Sequence, residues 1–573
     1  MINLYNYIRN VRSNLLYVIP IIIICNISAI SQTIPKIPLQ KSDRAIPGQY
    51  IVVYKSNSKA TSRTVIAPTA AMRKQMMEEE VATTLVKNNL SSKKVTHIYE
   101  TVINGFAVDG LTDKELNLLH KDDQIAYIVP NNTRSINQVP NSVSQILASD
   151  CNTSTLTVNG TNNTNILFAD FGSATDVTAE VALVNDGSAD PTFACNSIVN
   201  NLTGKIALID RGVCGFSQKA YSAQLAGAIG VIIANNTDDG NPIGMAPSPG
   251  AELVTIPVIS ISKTAGNVIK SALSSTVTAT IHHGTLGATA QCSPWGIERV
   301  GGGLSGVGKR AWIIDSGIDL DHPDLNVNIA LSQYFAGLSP DDQFGHGTHV
   351  AGTVAAIDNG IGVIGVAAGA ELISLRVFDQ VGASSDAQII AAMNHAGNFA
   401  NMDDVVNMSL GGWPNKAFDD ALFALSLKTR VVVSAGNDAT DANFAGPARV
   451  NAPNVYTISA MDRNNHLASF SNFGNAPIDY AAPGVGIASC DLNGTYSFKN
   501  GTSMAAPHVA GLLLLGGICS DSKIIGDVDG KPDPIAVHLN PLTAPDNDGD
   551  GFSVCAGDLD DADATIYPGA PEL

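Results

Sequence analysis

Apolar positions along this chain first recur in short runs. QYIVVY (49–54) reads as a strand, and AAMRKQMMEEEVATTLVKN (70–88), rich in helix formers, reads as a helix. VTHIYE and VINGFAVDGL predict two more strands. Thr112 and Glu115 then form the capping box of a helix over LTDKELNLLH, and QIAYIVP (124–130) closes the unit with a strand. The order is βαββαβ over about 90 residues.

That first unit, 46–135, predicts a ferredoxin-like α+β domain. From 141 to 287 the texture shifts to short apolar strands separated by Asn, Gly, Thr and Ser. At its centre, LTGKIALIDRGVCGFSQKAYSAQLAGAIGVIIANN reads as strand, loop, helix, strand. From 288 to 540 apolar strands (AWIIDSG, ELISLRVF, DVVNMSL, VVVSAGN, VYTISA) alternate with helix-like stretches. Such alternation predicts an α/β fold with a mostly parallel sheet and helices on both faces.

At 573 residues the chain exceeds what one core usually organises, so several domains are expected. Hydrophobic residues at 45% and charged ones at 15% fit a globular chain. A net charge of -19 argues against nucleic acid as a partner, because phosphates need a basic surface. At the start, Arg9 and Arg12 precede an apolar run from Leu15 to Ile24 and the small residues Ala29 and Ser31. This is the pattern of a secretory signal, 1–31, whose apolar run is short for a membrane span of about 20 residues. Export is expected, with no stable membrane anchor in the mature form. Removing the leader takes Cys25 and leaves seven cysteines, an odd number for an oxidising compartment.

Three stretches carry candidate chemistry. AWIIDSGIDLDHPDL sets Asp315 at the carboxyl end of an apolar strand, where open α/β sheets build their sites. GHGTHVAG follows, with His346 at the start of a helix. NGTSMAAPHVAG places Ser503 at another helix start, where backbone N–H groups and the helix dipole favour developing negative charge. An acid, an imidazole and a hydroxyl so placed suit nucleophilic catalysis. A helical zinc site would instead want histidines four apart with a Glu beside the first. Gly347 and Thr348 stand there, so His346 reads as the base and His349 as a buried structural histidine.

These stretches closely resemble the active-site motifs of subtilisin-like serine peptidases of the proteinase K-like kind, with the chain order Asp, His, Ser. The resemblance implies Asp315, His346 and Ser503 as the triad. It implies Asn437, in VVVSAGND, as the oxyanion donor beside the Ser503 N–H. It also implies Ser409, Leu410, Gly411 and Gly412 together with Ser434, Ala435 and Gly436 as the two segments between which a protein or peptide substrate lies as an added strand. Gly and Ala around the pocket, with no acid placed at its base, point to apolar or broad selection at the residue before the cut. No organic cofactor is implied.

Residues 46–135 resemble the inhibitor-type propeptide of such enzymes, which implies an intramolecular inhibitor released by cleavage near 131–140. Residues 141–287 resemble a protease-associated domain, here placed before Asp315 rather than inside the catalytic unit. That position leaves spacer and substrate-contact roles equally open. Within the same resemblance Cys195 and Cys214 are a candidate pair, and Cys151 and Cys292 flank the domain as a candidate clamp. The tail 546–573 holds eight acids and no Lys or Arg. Asp546, Asp548 and Asp550 alternate before Gly551 as in an EF-hand loop, and Asp558, Asp560, Asp561 and Asp563 follow. The whole resembles short calcium-binding repeats, implying structural Ca²⁺ and leaving Cys555 as the odd thiol. The rival reading is a non-catalytic extracellular calcium-binding or adhesion protein on a peptidase scaffold.

Overall fold

The computed structural model describes residues 44–538, apart from 59–60, 62–68, 137–138, 140–150, 152–154, 164–165, 170, 174, 238–241, 244, 246–250 and 283–290. The expected leader and the acidic tail, with Cys25 and Cys555, lie outside the described residues.

The first unit has the expected order: β1 (Ala45–Tyr54), α1 (Ala70–Lys87), β2 (Lys94–Tyr99), β3 (Gly105–Asp109), α2 (Asp113–Leu119) and β4 (Ile125–Ser135). The predicted capping box is present, with Thr112 accepting from the Glu115 backbone and Glu115 reaching back to the Thr112 backbone. The strands pair antiparallel in the order β4-β1-β3-β2. Alternation along β1 sends Val52 and Tyr54 to a core under the two helices, while Ile51 and Val53 join a second core on the opposite face. That second core is shared with the catalytic unit, so the propeptide-like sheet is packed between its own helices and those of its neighbour.

Residues 155–282 carry an eight-stranded mixed sheet. Its centre is parallel, from Val177–Leu183 through Ile206–Asp210 and Gly230–Ala234 to Val258–Ile261. Disulfides join Cys151 to Cys292 and Cys195 to Cys214. The first clamps the two ends of this domain and the second pins its interior loop, as the candidate pairings had it. Among the described residues the free thiol is Cys490, which is buried, and Cys519 is disulfide-bonded. The reading that singled out Cys555 did not anticipate a free thiol inside the core.

The catalytic unit is built on β5 (Arg310–Asp315), β6 (Gln333–Tyr334), β7 (Glu371–Arg376), β9 (Val405–Met408), β10 (Arg430–Ser434), β11 (Val455–Met461), β12 (Ile478–Pro483), β13 (Cys519–Lys523) and β14 (Pro534–Val537). They lie in the order β6-β7-β5-β9-β10-β11-β12-β14-β13, parallel except for the last pair. Along β5, Ala311 and Ile313 face one core, with helices α3 (His346–Ala355) and α6 (Thr502–Leu514). Trp312 and Ile314 face the other, with α4 (Asp386–Phe399) and α5 (Lys416–Ser426). Both faces are therefore covered, as near-continuous apolar strands require. The short strand β8 (Ala383–Ser385) stands outside this sheet and pairs with β4.

Candidate active site

Asp315 is the last residue of β5 and is fully buried. Its Oδ1 accepts from the Ser316 backbone at 2.7 Å and lies 2.8 Å from His346 Nδ1. His346 opens α3 behind Gly345, which has a φ of 90° and offers no side-chain cap. Asp342 supplies the missing cap: its carboxylate accepts from the backbones of Gly345 and Thr348 and from the Thr348 hydroxyl. Gly347 lets α3 approach β5, since a Cβ there would lie 2.1 Å from the Gly317 carbonyl.

His349, one turn on, serves a different purpose. Its Nε2 lies 3.0 Å from the Ile487 carbonyl and 3.2 Å from that of Ser497, and burial, with Lys499 nearby, drives its pKa well below the ordinary value. It is a neutral histidine bonded to the β-hairpin beside it. The two histidines point to separate partners.

Ser503 is the second residue of α6, entered through Gly501 at φ 144°. Its Oγ donates to the Ser409 carbonyl at 3.3 Å, while Ser409 Oγ donates to the Ser503 carbonyl at 2.8 Å. Among the described residues no hydrogen bond joins Ser503 to His346, a bond that such sites commonly tighten only around substrate. Helices α3 and α6 pack on one another, and the acid–imidazole pair and the hydroxyl stand at the carboxyl ends of the neighbouring interior strands β5 and β9. Asn437 follows β10, and its Oδ1 accepts from the Thr502 backbone at 2.9 Å and its hydroxyl at 2.8 Å.

Beside Ser503 opens a pocket of about 400 Å³. Ser409 to Gly412 form one wall, and Ser434 to Asn437 the other. Ala448 and Gly446 lie deeper, exposed Trp413 and Phe444 stand at the mouth, and the exposed Asp438 sits at the rim.

Residues 312–516 match the family described as "Subtilase family". M-protease of Shouchella clausii (strain KSM-K16) is 39% identical over 271 residues, 46% of this chain and 70% of that protein. Subtilisin Savinase of Lederbergia lenta is 41% identical over 233 residues, 39% of this chain and 84% of that protein. The chain belongs to the subtilase family of serine endopeptidases. In this subtilase, residues 49–137 further match "Peptidase inhibitor I9" and residues 167–269 match "PA domain".

The subtilase's propeptide end runs directly to the site. β4 pairs antiparallel with β8, Ser135 opposite Ala383, Arg134 opposite Ser384 and Thr133 opposite Ser385. The Ile136 N–H donates to the Gly382 carbonyl at 3.0 Å, and Ser135 and Ile136 line the pocket. Farther on, Val139 bridges to Asn500, three residues before Ser503. The paired edge is therefore Ala383–Ser385, which the sequence reading did not single out, while Ser409–Gly412 and Ser434–Gly436 line the cleft. The sequence signal for that edge was the helix cap Ser385 ahead of AQIIAAMNHA, which places a strand end just before α4.

Proposed function

We propose that this subtilase is a secreted zymogen that cuts its own propeptide and then hydrolyses extended protein segments through an acyl-enzyme on Ser503. In this reading the Ser503 hydroxyl attacks the substrate carbonyl carbon as His346 Nε2 takes its proton. Asp315 Oδ1, on Nδ1, holds the imidazole's orientation and offsets the charge it gains. The oxyanion is met by the Ser503 N–H at the start of α6 and by the Asn437 amide. Collapse expels the amine, which takes the proton from His346, and a water deprotonated by the same imidazole releases the acid.

The observation that carries this is the course of the chain's own segment. It pairs with β8 up to Ile136, which lines the pocket with Ser503, and Val139 bridges to Asn500, three residues before Ser503. The scissile bond accordingly falls between Ile136 and Val139, inside the expected 131–140 window. The buried, apolar Ala435 and Ala448 in the pocket lining favour an apolar or broadly tolerated residue before the cut. Export rests on the leader pattern, calcium in the tail on its acid spacing, and a proteinase K-like placing on the motif resemblance alone.

The test compares wild type with Ser503→Ala. Wild type is expected to react with a fluorophosphonate probe and to yield a mature N-terminus between 137 and 139, keeping the protease-associated domain. The variant is expected to stay unlabelled and joined to its propeptide. Lack of labelling in folded wild type would favour the non-catalytic rival, and normal processing of the isolated variant would reject self-cleavage.

A further inference from the structure

One side chain of the propeptide's last strand is held in a way the peptidase reaction does not require. Arg134 has no exposed side-chain surface, and neither does Asp386, its partner at the first turn of α4; Nε and Oδ1 are 2.5 Å apart. Arg134 Nη1 donates to the Gly446 carbonyl at 3.0 Å and Nη2 to the Trp413 carbonyl at 2.9 Å. Its guanidinium carbon stands 4.6 Å from the centre of the Phe418 ring. A Cβ on Gly412 would lie 2.4 Å from Nη1, so the glycine leaves the guanidinium its room. One charge, two carbonyls, an aromatic face and a glycine thus match a planar cation on every side.

We propose that this pocket is an arginine subsite of the mature peptidase, selecting substrates with a guanidinium at the third to fifth residue before the scissile bond. This rests on the reading that the propeptide end lies along the substrate path, with the cut between Ile136 and Val139. Gly412, Trp413 and Gly446 also line the pocket beside Ser503, so the arginine site and the cleft are continuous. When the propeptide leaves, Asp386 loses both Arg134 and the Asn132 amide, 2.9 Å from Oδ2, and keeps Asn415, 2.6 Å from the same oxygen. Asp386 stands in the first turn of α4, where the positive end of the helix attracts negative charge. A carboxylate so enclosed, with its cation gone, gains from the next guanidinium that fits.

The test uses quenched peptides copying residues 129–141 with Arg, citrulline or Ala at position 134, assayed on the processed wild-type protein. Citrulline keeps the length and most donors but removes the charge. The expected result is a loss in kcat/KM on the order of a hundredfold from Arg to citrulline, with the difference shrinking to a few-fold in Asp386→Asn matured in trans by wild type. Comparison among peptides on wild type needs no variant to fold. Equal cleavage of all three overturns the subsite while leaving the peptidase reading intact, and so does failure of probe-labelled enzyme to cut the Arg peptide. Absence of both cleavage and probe labelling overturns the peptidase reading and the subsite together.

Discussion

Asn437 turns its side-chain oxygen onto Thr502, accepting from both the backbone N–H and the hydroxyl of the residue just before Ser503. The amide's orientation is thereby fixed, with the oxygen on Thr502 and the nitrogen as its donor end. Asn437→Ala is expected to lower kcat by about 10²–10³, the loss found when such a donor is removed from a subtilisin. KM should move little, because the oxyanion exists only after attack. Steady-state kinetics on the folded variant decide it, and an unchanged kcat would remove Asn437 from the machinery.

Burial holds His97, on β2, down to about 4, and its Nδ1 has no hydrogen-bond partner among the described residues. Around it lie Lys74 and Glu78 of α1, Glu100, and His395 of α4. Between pH 6.5 and 4 the unfolded chain binds a proton that the folded chain refuses. The stability contributed by neutral His97 is therefore present above 6.5 and lost as pH falls toward 4. From pH 7 to 5 the unprocessed Ser503→Ala protein should lose about 1–2 kcal/mol through this residue. Urea unfolding monitored in the propeptide unit is the measurement, and adding His97→Leu should flatten the acid side of the profile.

The propeptide contact turns on a second side chain of α4. Asn394 Oδ1 accepts from the backbones of Glu100 and Thr101, and its Nδ2 donates back to Glu100 Oε2 at 2.9 Å. Asn394→Leu would leave those N–H groups and one oxygen of the Glu100 carboxylate without this partner, while the other oxygen keeps the Asn398 amide at 2.9 Å. A truncation of this kind costs about 1–3 kcal/mol per unsatisfied group. The added propeptide should then inhibit the mature variant at least about tenfold more weakly, read as an inhibition constant in trans. Unchanged inhibition would show that Asn394 carries no net share of docking.

The tail's alternating acids are expected to take Ca²⁺, since carboxylates so dense repel one another without a cation. Calorimetric titration of the whole chain against one ending at Leu542 tests it. The shorter chain should lose the calcium uptake yet keep its rate on peptides. Equal uptake by both would reject the tail as the site.

The large elements were legible because their signals are local. Asp315, His346 and Ser503 each sit where an apolar run meets a strand end or helix start, and the Thr112–Glu115 box announces α2 four residues at a time. The arginine pocket was hidden for the same reason. Asp386 in a first helical turn is already explained by the helix dipole, and Arg134 near the end of a strand looks like any solvated charge. β8 has three residues, too few to show a period, and only β4 lying against it makes it a strand. Cys490, with no motif around it, reads as an ordinary small apolar residue.

The Cys151–Cys292 bridge spans 141 positions of sequence and starts a short way beyond the expected cut. It turns the protease-associated domain into a side branch, because force applied at the new N-terminus passes through sulfur into the catalytic unit without loading that domain's sheet. A nick anywhere between the two cysteines would therefore leave the protein a single covalent piece. Only reduction would then release the severed strands, so a protease-damaged molecule should run at full size on a non-reducing gel and fall apart on a reducing one.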